Sequence, residues 1–193
     1  MRITIALAVL FAQESARKAE TPRPRAYVEV KLKVAVRPDA TAEQLEKLKD
    51  RFERAAKRWW ECTEGHMAFT EIRIVDRTEE GDVIVTNLDS THCDRKAYGR
   101  TVGERVYLGG RFPIVTFCHE MGHRWFGLPD EYDDPKCGNC VMEPWKGVFE
   151  FCDGGNHTAR GADCWSRILK KHPDWKRSRP GECPPVKISV EDK

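Results

Sequence analysis

Two histidines four residues apart, His119 and His123, constrain this chain more than any other feature in it. On an α-helix that spacing puts both imidazoles on one face, where they can share one metal ion. Glu120 lies one residue round, where its carboxylate can reach a water beside the metal without entering the coordination shell. Ile114, Phe117, Met121 and Trp125 fall on the helix's other face and form an apolar stripe. Such a helix must bury one side in a core and open the other to solvent. Pro113 suits its first turn and Gly127 its end, because glycine takes the left-handed conformation that stops a helix and turns the chain. A catalytic zinc wants three protein ligands and an open fourth position. Asp130, three residues past Gly127, can supply the third; Glu131 is the nearest competitor, with His157 and Glu143 more remote.

The chain ahead of this helix reads as alternating elements. Residues 27–36 place Val28, Val30, Leu32, Val34 and Val36 at the period of a half-buried strand. Thr41, with Gln44 three residues on, makes a capping box. The helix it opens carries Leu45, Leu48, Phe52, Ala56, Trp59 and Trp60 along one stripe. Residues 69–75 and 82–88 predict two further strands joined at the turn of Glu79, Glu80 and Gly81. Residues 98–108, punctuated by glycine, predict an edge strand with its turn. Beyond Gly127, loops carry five of the eight cysteines, apart from a short helix near 163–171. The order predicts an α+β (mixed α/β) domain over 27–183. Its upper lobe spans about 27–127 and its lower lobe about 128–183, with 184–193 as a tail.

Arg2 and the apolar run 3–12 read as a short secretory signal within residues 1–20. The alternative is a buried first strand, since Ile3, Ile5, Leu7 and Val9 alternate. The run falls far short of the ~20 residues a membrane-spanning helix needs. Residues 13–26 are polar and contain proline, as a leader or linker does. Eight cysteines behind a signal favour a disulfide framework and a secreted or periplasmic protein. Cys137-Gly138-Asn139-Cys140 could instead begin a structural zinc site, although no second closely spaced pair follows. Lys and Arg, 33 together, nearly balance 31 Asp and Glu, which disfavours nucleic acid as a partner bound through net charge. The basic run 170–179 reads as a solvated face. Asn156-His157-Thr158 fits a glycosylation acceptor. No phosphate loop, dinucleotide fingerprint or G-x-S-x-G elbow is present.

His119-Glu120-Met121-Gly122-His123, followed by Arg124-Trp125-Phe126-Gly127 and then Asp130-Glu131, resembles the zinc motif of the metzincin proteases. Most metzincins have two residues between the second histidine and the glycine, where this chain has three. That spacing is similar to the HExxHxxxGxxDE motif of the metalloprotease domain in the calcium-activated chloride channel regulator family. The resemblance implies a zincin-like fold: a twisted sheet, an active-site helix and a disulfide-rich C-terminal lobe. It also implies Zn²⁺ held by His119, His123 and Asp130, with Glu120 as general base. Cys137-Gly138-Asn139-Cys140-Val141-Met142 resembles the approach to the metzincin Met-turn, which would lie beneath the metal. Phe151-Cys152 and Cys164-Trp165 look like the lower lobe of such domains. These motifs cover about residues 112–171, and the N-terminal half agrees only in element order. The expectation is a secreted zinc endopeptidase acting on protein or peptide, with the strand in 98–108 holding an extended substrate and Tyr132 near the oxyanion. The alternatives are a non-catalytic zinc-binding or adhesion module, which the intact Glu120 argues against, and a metallohydrolase of non-peptide substrates.

Overall fold

In a computed structural model, residues 27–133 and 135–192 are described; the signal-like run 3–12 lies outside them. Among these residues the strands are β1 (Val28–Val36), β2 (Met67–Val75), β3 (Val83–Asn87), β4 (Gly99–Val102), β5 (Arg105–Gly109) and β6 (Lys187–Glu191). The helices are α1 (Ala42–Cys62), α2 (Ile114–Met121) and α3 (Cys164–Lys171). They form a mixed α/β fold around one six-stranded sheet, ordered β4-β5-β3-β1-β2-β6.

β1 lies in the interior of the sheet, parallel to β2 on one side and to β3 on the other. The two strands expected on either side of the Glu79–Gly81 turn are therefore not paired with each other. Their composition gives the reason. Val83, Ile84 and Val85 are all buried, the continuous apolar run of a parallel strand covered on both faces rather than the alternation of a hairpin arm. The segment 98–108 resolves into a hairpin of β4 and β5, which is antiparallel and leaves β4 at the sheet edge. Gly103, at φ +57°, makes its turn.

The stretch 184–193, expected as a tail, contributes β6. That strand pairs parallel with β2, and Ile188 and Val190 pack against the core. Glu191 pairs with Arg73, and Lys31 pairs with Glu71 at 3.1 Å. Five residues at an edge carry too little alternation to be recognised before their partner strand is known.

α1 begins as its cap predicts. Thr41 Oγ1 accepts from Gln44 N–H (3.2 Å) while Gln44 Oε1 accepts from Thr41 N–H (3.0 Å). Two otherwise orphaned donors are satisfied, an arrangement worth about 1 kcal/mol. The apolar stripe of α1 meets α2 through Phe52 and Phe117, whose ring centroids lie 5.9 Å apart. Further along, Trp59 stacks on Phe126 (5.7 Å) and meets Phe151 edge-on (6.1 Å). One core thus continues from the sheet into the cysteine-bearing segment, taking in Cys137, Phe151, Cys152 and Trp165.

Candidate metal centre

Pro113 stands at the N-cap of α2, where its missing N–H leaves one fewer donor to satisfy. Phe117 and Met121 are fully buried and fix its inner face. After Met121 the helix widens into a π turn over Gly122–Phe126, in which Gly127 N–H reaches Gly122 O as well as His123 O. A π turn accommodates more residues than an α turn, so three residues fit between His123 and Gly127 before the chain reverses. Gly127, at φ +60°, makes the reversal.

That reversal returns Asp130 to the histidines. Its Oδ1 lies 3.2 Å from His119 Nε2 and 3.1 Å from His123 Nε2, and the two Nε2 atoms are 2.9 Å apart. The far sides of both rings are held by carbonyls. His119 Nδ1 donates to Val141 O (3.2 Å), and His123 Nδ1 donates to Leu128 O (2.6 Å). A carbonyl only accepts, so each Nδ1 carries the hydrogen and each neutral ring presents a bare lone pair at Nε2. Two lone pairs and a carboxylate at such distances repel unless a proton or a metal cation lies among them. Ligands about 2.0–2.1 Å from a tetrahedral zinc stand ~3.3 Å apart, so the observed triangle needs only slight expansion. The donor set fits the metal.

Charges at the site follow from this arrangement. Burial works against the Asp130 carboxylate, yet the neighbouring His119, His123 and Tyr132 hold it well below the usual range. Burial likewise opposes a charge on His123, but Asp130 and Leu128 O raise its pKa. Burial, then the bond to Asp130, pushes the Tyr132 hydroxyl up to about 12.

Glu120 is buried beside the triangle. Thr101 Oγ1 donates to its Oε2 at 2.7 Å and is 3.1 Å from its backbone oxygen. Burial raises the carboxyl pKa, while Thr101 and the histidines pull it down. Gly99 makes room for the side chain, because a Cβ there would stand 2.8 Å from both Cγ and Oε1 of Glu120. The site opens on a cleft of about 840 Å³ bounded by Tyr98, Thr101, His119, Glu120, Tyr132 and Trp145. Met142 is fully buried against the helix between the two histidines, where a Cβ on Gly122 would come 2.7 Å from its sulfur. Sequence reasoning missed Gly99, Thr101 and the carbonyls of Leu128 and Val141. A backbone acceptor leaves no mark on residue type, and Thr101 lies 19 residues from Glu120.

The other candidate ligands go elsewhere. Glu131 faces away from the histidines, with Oε2 3.2 Å from Cys152 Sγ and Oε1 3.4 Å from Cys164 Sγ. His157 Nδ1 stands 3.2 Å from Cys152 Sγ. Glu143 is buried outside these groupings. The expected disulfide framework is not formed: all eight cysteines are unbridged, and Cys140 Sγ lies 3.6 Å from Cys164 Sγ. Hydrogen bonds from Cys152 and Cys164 draw the Cys140 thiol down to about 5. Buried groupings of Cys, Glu and His that could bind a metal ion therefore exist beside the His119–His123–Asp130 triangle. Among the described residues, no helix is long and apolar enough to cross a membrane. Compared with known proteins, the chain matches no family, no curated sequence and no solved structure.

Proposed function

We propose that this protein is a zinc-dependent endopeptidase of metzincin type, in line with the resemblance of its His-Glu-x-x-His segment, and that it acts outside the cytoplasm on protein or peptide. The observation that carries the reading is the convergence of His119 Nε2, His123 Nε2 and Asp130 Oδ1, each imidazole pinned at Nδ1 by a carbonyl, beside a buried Glu120 at the floor of a cleft. Zinc held there by His119, His123 and Asp130 would supply Lewis acidity toward a scissile carbonyl and lower the pKa of a water to about 7. Glu120 takes the proton from the attacking water and passes it to the departing amine. Thr101 holds the carboxylate in place, and Gly99 lets it lie against β4. The outer side of β4 pairs with no strand among the described residues and borders the cleft, which suits an extended peptide added as a further strand.

A purely metal-binding module would not need a buried carboxylate oriented beside an open cleft. Metal analysis of wild type and Glu120→Gln, paired with a peptide-library digest, tests the reading. Both proteins should hold equal zinc, and the amide, which cannot accept a proton, should lower cleavage about 10²–10⁴-fold. A fully zinc-loaded wild type that cleaves nothing in a broad peptide and protein panel overturns it.

A further inference from the structure

We propose a second metal site in the lower part of the molecule, a structural zinc held by Cys140, Cys152, Cys164 and Glu131. Their ligand atoms all lie within 4.8 Å of one another, and all four residues are buried. The site shares no ligand with the triangle of His119, His123 and Asp130.

Three observations support it. First, the spacing suits a metal. Zinc–sulfur bonds of about 2.3 Å put tetrahedral sulfurs ~3.8 Å apart. The Cys140–Cys164 separation is 3.6 Å, and Cys152 and Cys164 approach the Glu131 carboxylate at 3.2 and 3.4 Å. Second, the sulfurs receive hydrogen bonds from the backbone. Met142 N–H and Cys152 N–H both donate to Cys140 Sγ, and Cys164 N–H donates to Cys152 Sγ, each at 3.4 Å. Such donors stabilise the charge of metal-bound thiolates. Third, Glu131 is only 3% exposed. Among the described residues no lysine or arginine pairs with it, and the side chains around it are thiols and His157. A carboxylate buried against weak thiol donors is costly. A divalent cation removes that cost by replacing the thiol protons and bridging sulfur to oxygen. Soft sulfur donors in a buried, closed set of four select zinc over magnesium or calcium. A second grouping, of Glu131, Cys137, Cys152 and His157, shares two donors with this one and stands beside it.

The placement also gives the site a task. Asp130 turns to the cleft and Glu131, the next residue, to the thiols. Glu131 N–H donates to Met142 O at 3.1 Å, and Cys140 stands two residues before Met142. A metal on Glu131 and Cys140 therefore pins both the segment that delivers Asp130 and the loop beneath the histidines.

The test begins with the full-length protein loaded with Co²⁺ as the only metal. Sulfur-to-cobalt charge-transfer absorption in the near ultraviolet should appear, since the His–His–Asp triangle contains no sulfur. Loaded protein that shows only weak visible bands overturns the proposal. The His119→Ala/His123→Ala variant, purified with zinc, should still retain one zinc per chain by native mass spectrometry. A folded variant free of zinc overturns it. Cys152→Ser and Cys164→Ser should each weaken the retained zinc at least about tenfold, with release followed by a chromogenic chelator. Alkylation and peptide mapping of metal-stripped, non-reduced wild type guard against variants that fail to fold. Labels on Cys140, Cys152 and Cys164 are expected, and a disulfide between any two of them refutes the site.

Discussion

Asp130→Asn offers the sharpest test of the metal site proposed at His119, His123 and Asp130. The amide keeps the shape of the side chain and can still accept from Tyr132, but it removes the charge that stands 3.1–3.2 Å from both imidazoles. Losing a partner that only orients a ligand already weakens metal binding about 10–100-fold, so losing a direct ligand should cost at least the upper end of that range. Zinc at 100 times its dissociation constant stabilises the wild type by about 2.7 kcal/mol. For a chain of 193 residues, each kcal/mol moves Tm by about 2–4 °C, so zinc should raise Tm by roughly 5–11 °C. At the same zinc concentration a hundredfold weaker variant gains only about 0.4 kcal/mol, near 1 °C. Both proteins are stripped with chelator and scanned by calorimetry with and without zinc. Only the difference in the zinc-induced rise is read, so a thiolate site common to both cancels. A rise in Asp130→Asn equal to that of wild type refutes the carboxylate as third ligand.

Three further substitutions, with one control, probe the support of the site. Gly99→Ala puts a methyl 2.7–2.8 Å from Thr116 Cγ2 and Glu120; it should cost about 1–3 kcal/mol by overpacking and lower peptide cleavage more than zinc binding. Gly154→Ala, with open space around it, is the neutral control, and equal cleavage by the two variants would exclude a role for the close approach of β4. Phe126→Ala removes the ring that Trp59 stacks on and Phe151 meets edge-on; urea unfolding should show a loss of about 3–5 kcal/mol, and a loss below 1 kcal/mol would mean the π turn is not anchored there. Met142→Leu conserves volume and should cost under about 1.5 kcal/mol while speeding zinc loss to a chelator more than it slows cleavage; the reverse order would remove Met142 from the support of the metal centre.

Some of this molecule follows from the sequence alone, because the determining residues lie within one or two turns of each other. The four-residue spacing of His119 and His123, the Thr41–Gln44 cap, the alternation from Val30 to Val36 and the left-handed turn at Gly127 are local and take the form expected, although the helix widens into a π turn before Gly127 and Val28 stays exposed. Tertiary structure decided what depends on residues distant in the chain. The sequence favours Asp130 with Glu131 as its nearest competitor; the surroundings separate them, with the histidines on one side and Cys152 and Cys164 on the other. Thr101 and Gly99 reach Glu120 only because β4 closes the edge of the sheet beside α2. The place of β1 between β2 and β3, and the recruitment of Lys187–Glu191 as β6, depend on pairing across tens of residues. Cys140, Cys152 and Cys164 lie 12 and 24 residues apart in sequence. They converge because Phe151 and Trp165, their immediate neighbours, are buried in the core that Trp59 begins. Periodicity tells which face of an element is buried; only packing tells what that face is buried against.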